Sequence, residues 1–211
     1  MRVIETKVYT FRELSDTAKQ TAREWWNSIP DDGYDTEFVY EDAATIADLF
    51  GLDIRTRLVR TLDKSVRYDP CIYYSGFWSQ GDGACFEGTY RYKKGALAQV
   101  KKYVPTDTRL HRIVKGLQDI QRRFFYKLEA RTRHRGHYYH SYCMDVSVES
   151  SAYNIPCTPE AEDEVTELLR NFADWIYDRL YEEYTWRHED EQVDELLIIN
   201  GYEFTENGEI A

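Results

Sequence analysis

Apolar and polar positions repeat along the chain with two different periods, and each period predicts one type of element. A spacing of three and four residues between apolar positions predicts six helices, at 16–29, 36–50, 95–103, 107–130, 159–188 and 193–199. Alternation of apolar and polar residues predicts strands at 3–11, 52–59, 71–78 and 84–92. The stretch 131–150 is typical of one long strand or of a bent hairpin, and 202–210 of a terminal extended segment.

Residues that start and stop helices support these assignments. Ser15 and Asp35 can accept hydrogen bonds from the free N–H groups of a first helical turn. The triplet 158–160 places a cap, a proline and an acid at the start of the helix predicted at 159–188. Gly51 follows the last apolar residue of the second helix, at a position where the backbone often turns left-handed.

The order of the elements predicts the fold class. Strands come in neighbouring pairs between helices, and the glycine-rich turn 79–83 joins two of them as a hairpin. This order favours an α+β fold with an antiparallel sheet, helices packed against it and a helical C-terminal third. We expect residues 1–211 to form a single domain, with a turn at 30–33 between the first two helices.

Composition indicates a folded cytoplasmic protein. The chain has 18 Tyr and 5 Trp, whose rings suit half-buried positions and interfaces. The four cysteines, Cys71, Cys85, Cys143 and Cys157, form no C-x-x-C pair, which favours a reducing compartment over a disulfide framework. The N-terminus lacks an apolar signal core, and no apolar run is long enough to span a membrane. We therefore expect a location in the cytoplasm and no membrane partner.

Charge is strongly segregated behind a net charge of −11. Residues 54–135 carry nineteen bases and seven acids, whereas residues 158–211 carry seventeen acids and three bases. The two segments either neutralise each other in the fold or leave a basic patch and an acidic face. Only the second arrangement provides a field that can steer a partner.

The acidic segment is the first candidate binding surface. Its carboxylates can form a solvated helical face, or they can imitate nucleic-acid phosphates and occupy a basic groove on a partner. In the second case an exposed tryptophan serves as an anchor at the core of the contact. The candidate partner-binding residues are Glu182, Glu183, Glu189, Asp190, Glu191, Asp194, Glu195 and Trp186.

The basic segment is an alternative site, for nucleic acid. Basic residues interleaved with stacking rings between residues 109 and 140 are typical of single-strand binding, and are also compatible with a solvated helix face and sheet edge. The candidate residues are Arg122, Arg123, Arg131, Arg133, Arg135, Tyr138 and Tyr139.

Catalytic and metal chemistry receive little support. His134, His137 and His140 lie near Cys143, but on a strand His137 would point away from the other two histidines, and the neighbouring arginines would repel a cation. No Ser-His-Asp or Cys-His arrangement is apparent, and Asp82 has no partner in the sequence. We expect no enzyme activity, no metal and no cofactor.

Three segments resemble a family of small proteins encoded by bacteriophages. They are 9–26 (YTFRELSDTAKQTAREWW), 74–86 (YSGFWSQGDGACF) and 200–208 (NGYEFTENG), of which the middle one is the most specific. Proteins of this kind are often labelled antitoxin-like, and the resemblance implies no catalytic residues. It implies a phage accessory protein in the bacterial host cytoplasm.

The resemblance and the acidic segment together favour one function. We expect a non-enzymatic protein that binds and inhibits a bacterial macromolecular machine, such as a CRISPR effector or a restriction system. Its partner would be a host protein or a ribonucleoprotein complex. The alternatives are a nucleic-acid-binding protein that uses residues 109–140, and an antitoxin that neutralises a cognate toxin.

Overall fold

The computed structural model describes residues 7–29, 36–60, 64–152 and 155–211. Contacts divide the chain into two compact units. The central unit is residues 36–180, and the terminal unit combines residues 1–35 with residues 181–211, so it unites the two ends of the chain. The expectation of a single domain stays a prediction.

The helices agree closely with the apolar pattern. Their bounds are α1 (Asp16–Ser28), α2 (Glu37–Phe50), α3 (Ala96–Tyr103), α4 (Thr108–Arg123), α5 (Pro159–Arg187) and α6 (Asp190–Ile199). The predicted cap of α1 is confirmed, because Ser15 Oγ accepts a hydrogen bond from the N–H of Ala18 at 3.3 Å. Gly51 ends α2 as predicted, with a left-handed φ of 92° that few other residues adopt. Asp35 and the predicted turn at 30–33 lie outside the described residues.

Within the described residues, ten short strands pair in four antiparallel sheets. Their bounds are β1 (Tyr9–Thr10), β2 (Leu52–Ile54), β3 (Thr56–Arg60), β4 (Val66–Pro70), β5 (Ile72–Ser75), β6 (Gly83–Phe86), β7 (Gly88–Arg91), β8 (Leu128–His134), β9 (Met144–Ser150) and β10 (Glu203–Phe204). The largest sheet has the order β2-β7-β8-β9, and the pairs β1-β10, β3-β4 and β5-β6 form two-stranded sheets. The predicted α+β class with antiparallel sheets and a helical C-terminal third is confirmed.

The core of the central unit is built around Phe172 on α5. Its ring lies 5.0 Å from the ring of Phe50 on α2 and 5.7 Å from that of Phe86 on β6. It also stacks on Trp175 one turn later, with ring centroids 5.6 Å apart. All four side chains are buried, so this cluster ties a helix and a strand to α5.

The terminal unit has its own core, formed where the chain ends meet. Strand β1 pairs with β10 so that Tyr9 faces Phe204 and Thr10 faces Glu203. Residues from both ends are buried together, namely Phe11, Leu14, Ala18, Ala22, Val193, Leu197 and Phe204. The strand predicted at 3–11 is thus short, and its residues 3–6 lie outside the described part of the chain.

The prediction of a helix over 107–130 is wrong beyond Arg123. The chain leaves the helix through Phe125 and Tyr126, both with positive φ, and Leu128 opens strand β8. The buried side chain of Gln121 stabilises this change, because its amide donates to the carbonyl of Leu128 at 2.8 Å and accepts from the N–H of Leu128 at 3.2 Å. A helical side chain therefore supplies the backbone pairing that a neighbouring strand would give.

The strand predictions are also refined. The segments 52–59 and 84–92 each divide at one residue, Arg55 and Glu87, and continue in another sheet. The stretch 131–150 is the bent hairpin, formed by β8 and β9, and β4 was not anticipated.

One face of the four-stranded sheet is exposed and electrically balanced. Side chains of β8 alternate between buried and outward positions, and Glu129, Arg131 and Arg133 point outward. Glu129 accepts hydrogen bonds from Arg91 at 2.7 Å and from Arg131 at 3.0 Å. Arg133 lies directly opposite Asp145 on β9. Neighbouring opposite charges therefore cancel much of the field over this face.

Truncation of the central ring tests the core. Phe172→Ala removes the ring shared by α2, β6 and α5, and we expect it to lower the free energy of unfolding by about 3–5 kcal/mol. Phe38→Ala on α2 is the control, since Phe38 is 71% exposed and its loss should change stability by less than about 0.5 kcal/mol. Urea denaturation followed by circular dichroism measures both variants. Equal losses would contradict the assignment of the core.

Acid titration tests the ion pairs on the sheet face. The hydrogen bond from Arg91, helped by Arg131, lowers the pKa of Glu129 below its usual value. The ionised carboxylate therefore stabilises the fold above the pKa of the unfolded chain, and this contribution disappears as the pH falls through the lower pKa of the folded state. We expect Glu129→Gln to cost up to about 1 kcal/mol at pH 7 and almost nothing near pH 2.

The matched control is Glu149→Gln on the paired strand. Glu149 lies directly opposite Glu129, so its neutralisation relieves a repulsion instead of breaking an ion pair. Urea unfolding at several pH values compares the two variants. A loss at pH 7 for Glu149→Gln that matches the loss for Glu129→Gln would refute this account.

Candidate functional site

An apolar groove of about 450 Å³ opens on the surface of the terminal unit. Its lining comes from α1, from the end of α5, from α6 and from the segment before β10. The lining residues are Trp26, Ile29, Trp186, Arg187, His188, Gln192, Leu196 and Tyr202. Five of the eight are aromatic or aliphatic, so the groove suits an apolar side chain of a ligand.

Edge-to-face ring contacts hold one wall of the groove in place. Tyr202 lies with its ring 5.8 Å from the ring of Trp26 and 5.3 Å from that of Trp25. Both tryptophans come from α1, whereas Tyr202 precedes the last strand, so the wall exists only because the two chain ends fold together. Trp186, which also lines the groove, is 49% exposed and remains available to a ligand.

The polar side chains at the groove have defined hydrogen bonds. Arg187 Nε donates to Glu183 Oε1 at 2.7 Å, which holds the guanidinium along α5. The Nδ1 of His188 lies 2.7 Å from the carbonyl of Tyr184, a contact that requires the proton on Nδ1. In the neutral ring, Nε2 of His188 is therefore a hydrogen-bond acceptor.

Arg23 organises two of the candidate carboxylates. Its guanidinium donates to both oxygens of Asp194, at 2.6 and 2.7 Å, and to Asp190 at 2.9 Å. The hydrogen bond to Asp194 is the main cause that raises the pKa of Arg23 above its usual value. This fork joins α1 to α6 and fixes the helices that carry the groove.

The terminal unit as a whole is strongly acidic. Its described residues contain five Lys and Arg against thirteen Asp and Glu, a net charge of −8. Arg23 and Arg187 contact three of the proposed partner-binding carboxylates, Asp190, Asp194 and Glu183. The other four of these carboxylates are exposed, namely Glu182, Glu189, Glu191 and Glu195. The groove thus lies in a field that favours a cationic ligand.

Acids earlier in the acidic segment are partly neutralised. In the central unit, Arg109 forms an ion pair with Asp178, and Arg123 forms one with Glu164. Both acids lie on α5, and both bases lie on α4. The two possibilities left open by the sequence therefore both occur, with neutralisation along α4 and α5 and an uncancelled charge in the terminal unit.

The proposed nucleic-acid residues fall in three places. Arg122 and Arg123 end α4, and Arg131 and Arg133 point outward from β8. Arg135, Tyr138 and Tyr139 lie in the loop that joins β8 to β9. Of the three groups, only Arg135, Tyr138 and Tyr139 combine a base with rings in one loop.

The histidines do not lie on one strand. His134 ends β8, whereas His137 and His140 lie in the following loop. His140 Nδ1 accepts the N–H of Tyr142 at 3.2 Å, and its Nε2 lies 3.3 Å from the sulfur of Cys143. With Nδ1 as an acceptor, the neutral ring carries its proton on Nε2 and cannot accept one from the thiol there. Among the described residues, no group of three His, Cys, Asp or Glu side chains could hold a metal ion.

Three contributions to these sites were missed by the sequence. The apolar pattern places Trp26 on the first predicted helix and Tyr202 in the terminal extended segment. Only the pairing of the chain ends brings both residues to the groove. Asp82 does have partners, because its Oδ2 accepts the N–H groups of Trp78 and Ser79 at 2.8 and 2.6 Å. These bonds run back to residues three and four positions earlier, so no common turn motif in the sequence indicated them.

Comparison with known proteins gives a family and no named relative. Neither the search of curated proteins nor the search of solved structures finds a match. In the part of the chain that the structure describes, every helix is too short or too polar to cross a membrane. A protein-family match covers residues 36–190, which is most of the chain. The chain therefore belongs to the family described as "Domain of unknown function (DUF8835)".

Proposed function

We propose that this protein is a non-enzymatic binding protein that inhibits a bacterial macromolecular machine through the apolar groove of its acidic terminal unit. The observation that carries the proposal is an open aromatic groove within a unit whose described residues carry a net charge of −8. The resemblance to phage proteins supports a CRISPR effector or a restriction system in the host cytoplasm as the target. Such machines hold nucleic acid in basic channels, which are complementary to this surface.

The apolar groove and the exposed acids near it have separate roles in the proposed binding. An apolar side chain of the partner inserts between Trp186 and the wall formed by Trp26 and Tyr202. Rings buried in this way supply most of the affinity of a typical interface. The exposed acids on α6, Glu191 and Glu195, attract lysines and arginines of the partner and accelerate association.

An antitoxin would use the same groove. A toxin that acts on nucleic acid also presents a basic surface, so the chemistry of the contact is shared. Co-expression with the product of the neighbouring gene separates the two functions, because only an antitoxin relieves growth arrest by that protein.

Charge neutralisation at the groove tests the proposal. We expect the tagged chain to capture a stoichiometric partner from bacterial lysate and to restore plating of phage on a host with an active defence system. The triple variant Glu189→Gln/Glu191→Gln/Glu195→Gln should weaken capture mainly at low salt, because the steering field is screened as salt rises. Trp186→Ala should raise the Kd about 30-fold at all salt concentrations, equivalent to about 2 kcal/mol.

The matched control changes the same charge elsewhere in the same unit. Glu24→Gln/Glu206→Gln/Glu209→Gln removes three exposed acids of the same unit that lie neither on α6 nor next to a lining residue in the sequence, whereas Glu189, Glu191 and Glu195 adjoin His188, Gln192 and Leu196. It should bind and protect like the parent chain. A lysate that yields no stoichiometric partner at low and moderate salt would overturn the proposal, as would equal losses for both triple variants.

A further inference from the structure

A braced loop in the central unit holds an exposed tryptophan. Residues 76–82 join β5 to β6, and the Asp82 carboxylate accepts the N–H groups of Trp78 and Ser79 from within the loop. From outside, the hydroxyl of Tyr177 on α5 donates to the carbonyl of Gly76 at 3.0 Å. Trp78 is nevertheless 76% exposed. The loop is thus fixed in shape while its largest apolar side chain faces solvent.

A second loop, residues 135–143, packs directly on the first. Gly81 has a φ of +98°, and a Cβ there would approach the ring of Tyr138 to 3.0 Å. A Cβ on Gly83 would lie 2.6 Å from the Cβ of His140, closer than side chains tolerate. The two glycines therefore allow the loops to form one continuous surface, which we call the aromatic platform and define as residues 76–82 and 135–143.

Rings dominate the platform. Tyr142 is 76% exposed and Tyr138 is 60% exposed. His140 lies between them, nearly parallel to Tyr138 at an interplanar angle of 18° and 6.3 Å from each ring. At the edge of the platform, Tyr139 stacks on Tyr73 of β5 with ring centroids 5.6 Å apart. Exposed rings held by braced loops are typical of a binding surface.

Cations border these rings. The guanidinium of Arg170 lies 5.1 Å from the centre of the Tyr142 ring, and that of Arg57 lies 5.4 Å from the centre of the Tyr73 ring. Arg135 within the platform is exposed. Of the neighbouring carboxylates, Asp82 accepts two N–H groups of the loop, and Glu87 forms an ion pair with Arg55 at 3.0 Å. The border therefore favours an anion.

The platform combines two features that single-stranded nucleic acid needs. Its sequences, GFWSQGD and RGHYYHSYC, supply flat π faces on which unpaired bases can stack. The guanidiniums beside these rings can bind the phosphates, and this charge complementarity favours nucleic acid over a neutral or cationic protein surface.

We propose that the aromatic platform binds single-stranded nucleic acid. Bases stack on Trp78, Tyr138 and Tyr142, and phosphates bind Arg135 and Arg170. The site is separate from the apolar groove, and it does not use Arg122, Arg123, Arg131 or Arg133.

Fluorescence anisotropy of the full chain with labelled (dT)20 at 50 mM salt tests this site. We expect binding that weakens steeply with salt and exceeds binding to a duplex of the same length. Trp78→Ala and Tyr142→Ala should each raise the Kd about 5- to 100-fold. Trp78→Phe keeps a stacking ring and should bind within about threefold of the parent chain.

Two controls make the result specific. Tyr68→Ala removes an exposed tyrosine of the same unit from β4, outside the platform, and should leave the Kd unchanged. Arg122→Gln/Arg123→Gln removes the bases at the end of α4 and should reduce binding less than Trp78→Ala does. No binding at 50 mM salt would overturn the proposal. Binding of (dT)20 by Trp78→Ala as strong as that of the parent chain would also overturn it. So would a result in which Trp78→Ala loses the capture of a lysate protein but keeps its binding of (dT)20.

Discussion

The burial of Phe172 against Phe50 and Phe86 is the contact on which the central unit depends. It fixes α5 against the strand β6, and the loop 76–82 leads directly into that strand. Five residues beyond Phe172, about one and a half turns along the same helix, Tyr177 reaches the carbonyl of Gly76. The position of an exposed loop is thus set by a buried ring, because both contacts come from one rigid helix.

Local signals in the sequence were sufficient for most helices. Ser15 and Gly51 act within a few residues of their own helix ends, so their roles follow from the sequence alone. The end of α4 did not follow, because Gln121 terminates it through hydrogen bonds to Leu128, and the periodic pattern continues across the boundary. The division of the segment 84–92 at Glu87 likewise depends on the pairing of β7 with the distant strand β2, whereas β4 pairs with its chain neighbour β3 in a hairpin that the apolar pattern did not indicate.

The candidate groove was predictable only on one side. Trp186 and its acidic neighbours stand together in the sequence, so composition and charge identified them. Trp26 and Tyr202 are separated by most of the chain and become neighbours through the pairing of β1 with β10. The sequence also could not show which acids are neutralised in the fold. The acids of residues 158–211 divide between the two units, and those that form ion pairs with bases of α4, Asp178 and Glu164, belong to the central unit.

The two candidate sites differ in chemistry and in their relation to the family. Both loops of the aromatic platform lie within residues 36–190, whereas the groove needs Trp26, Leu196 and Tyr202 from outside that range. A domain limited to the matched residues can therefore carry the complete platform but only the Trp186 side of the groove. If the family has a common binding activity, the platform is the place for it, because its braces, its rings and its cations all belong to the matched residues. The groove then adds a property of the whole chain, made when the two ends of the polypeptide fold together around Phe204 and Phe11.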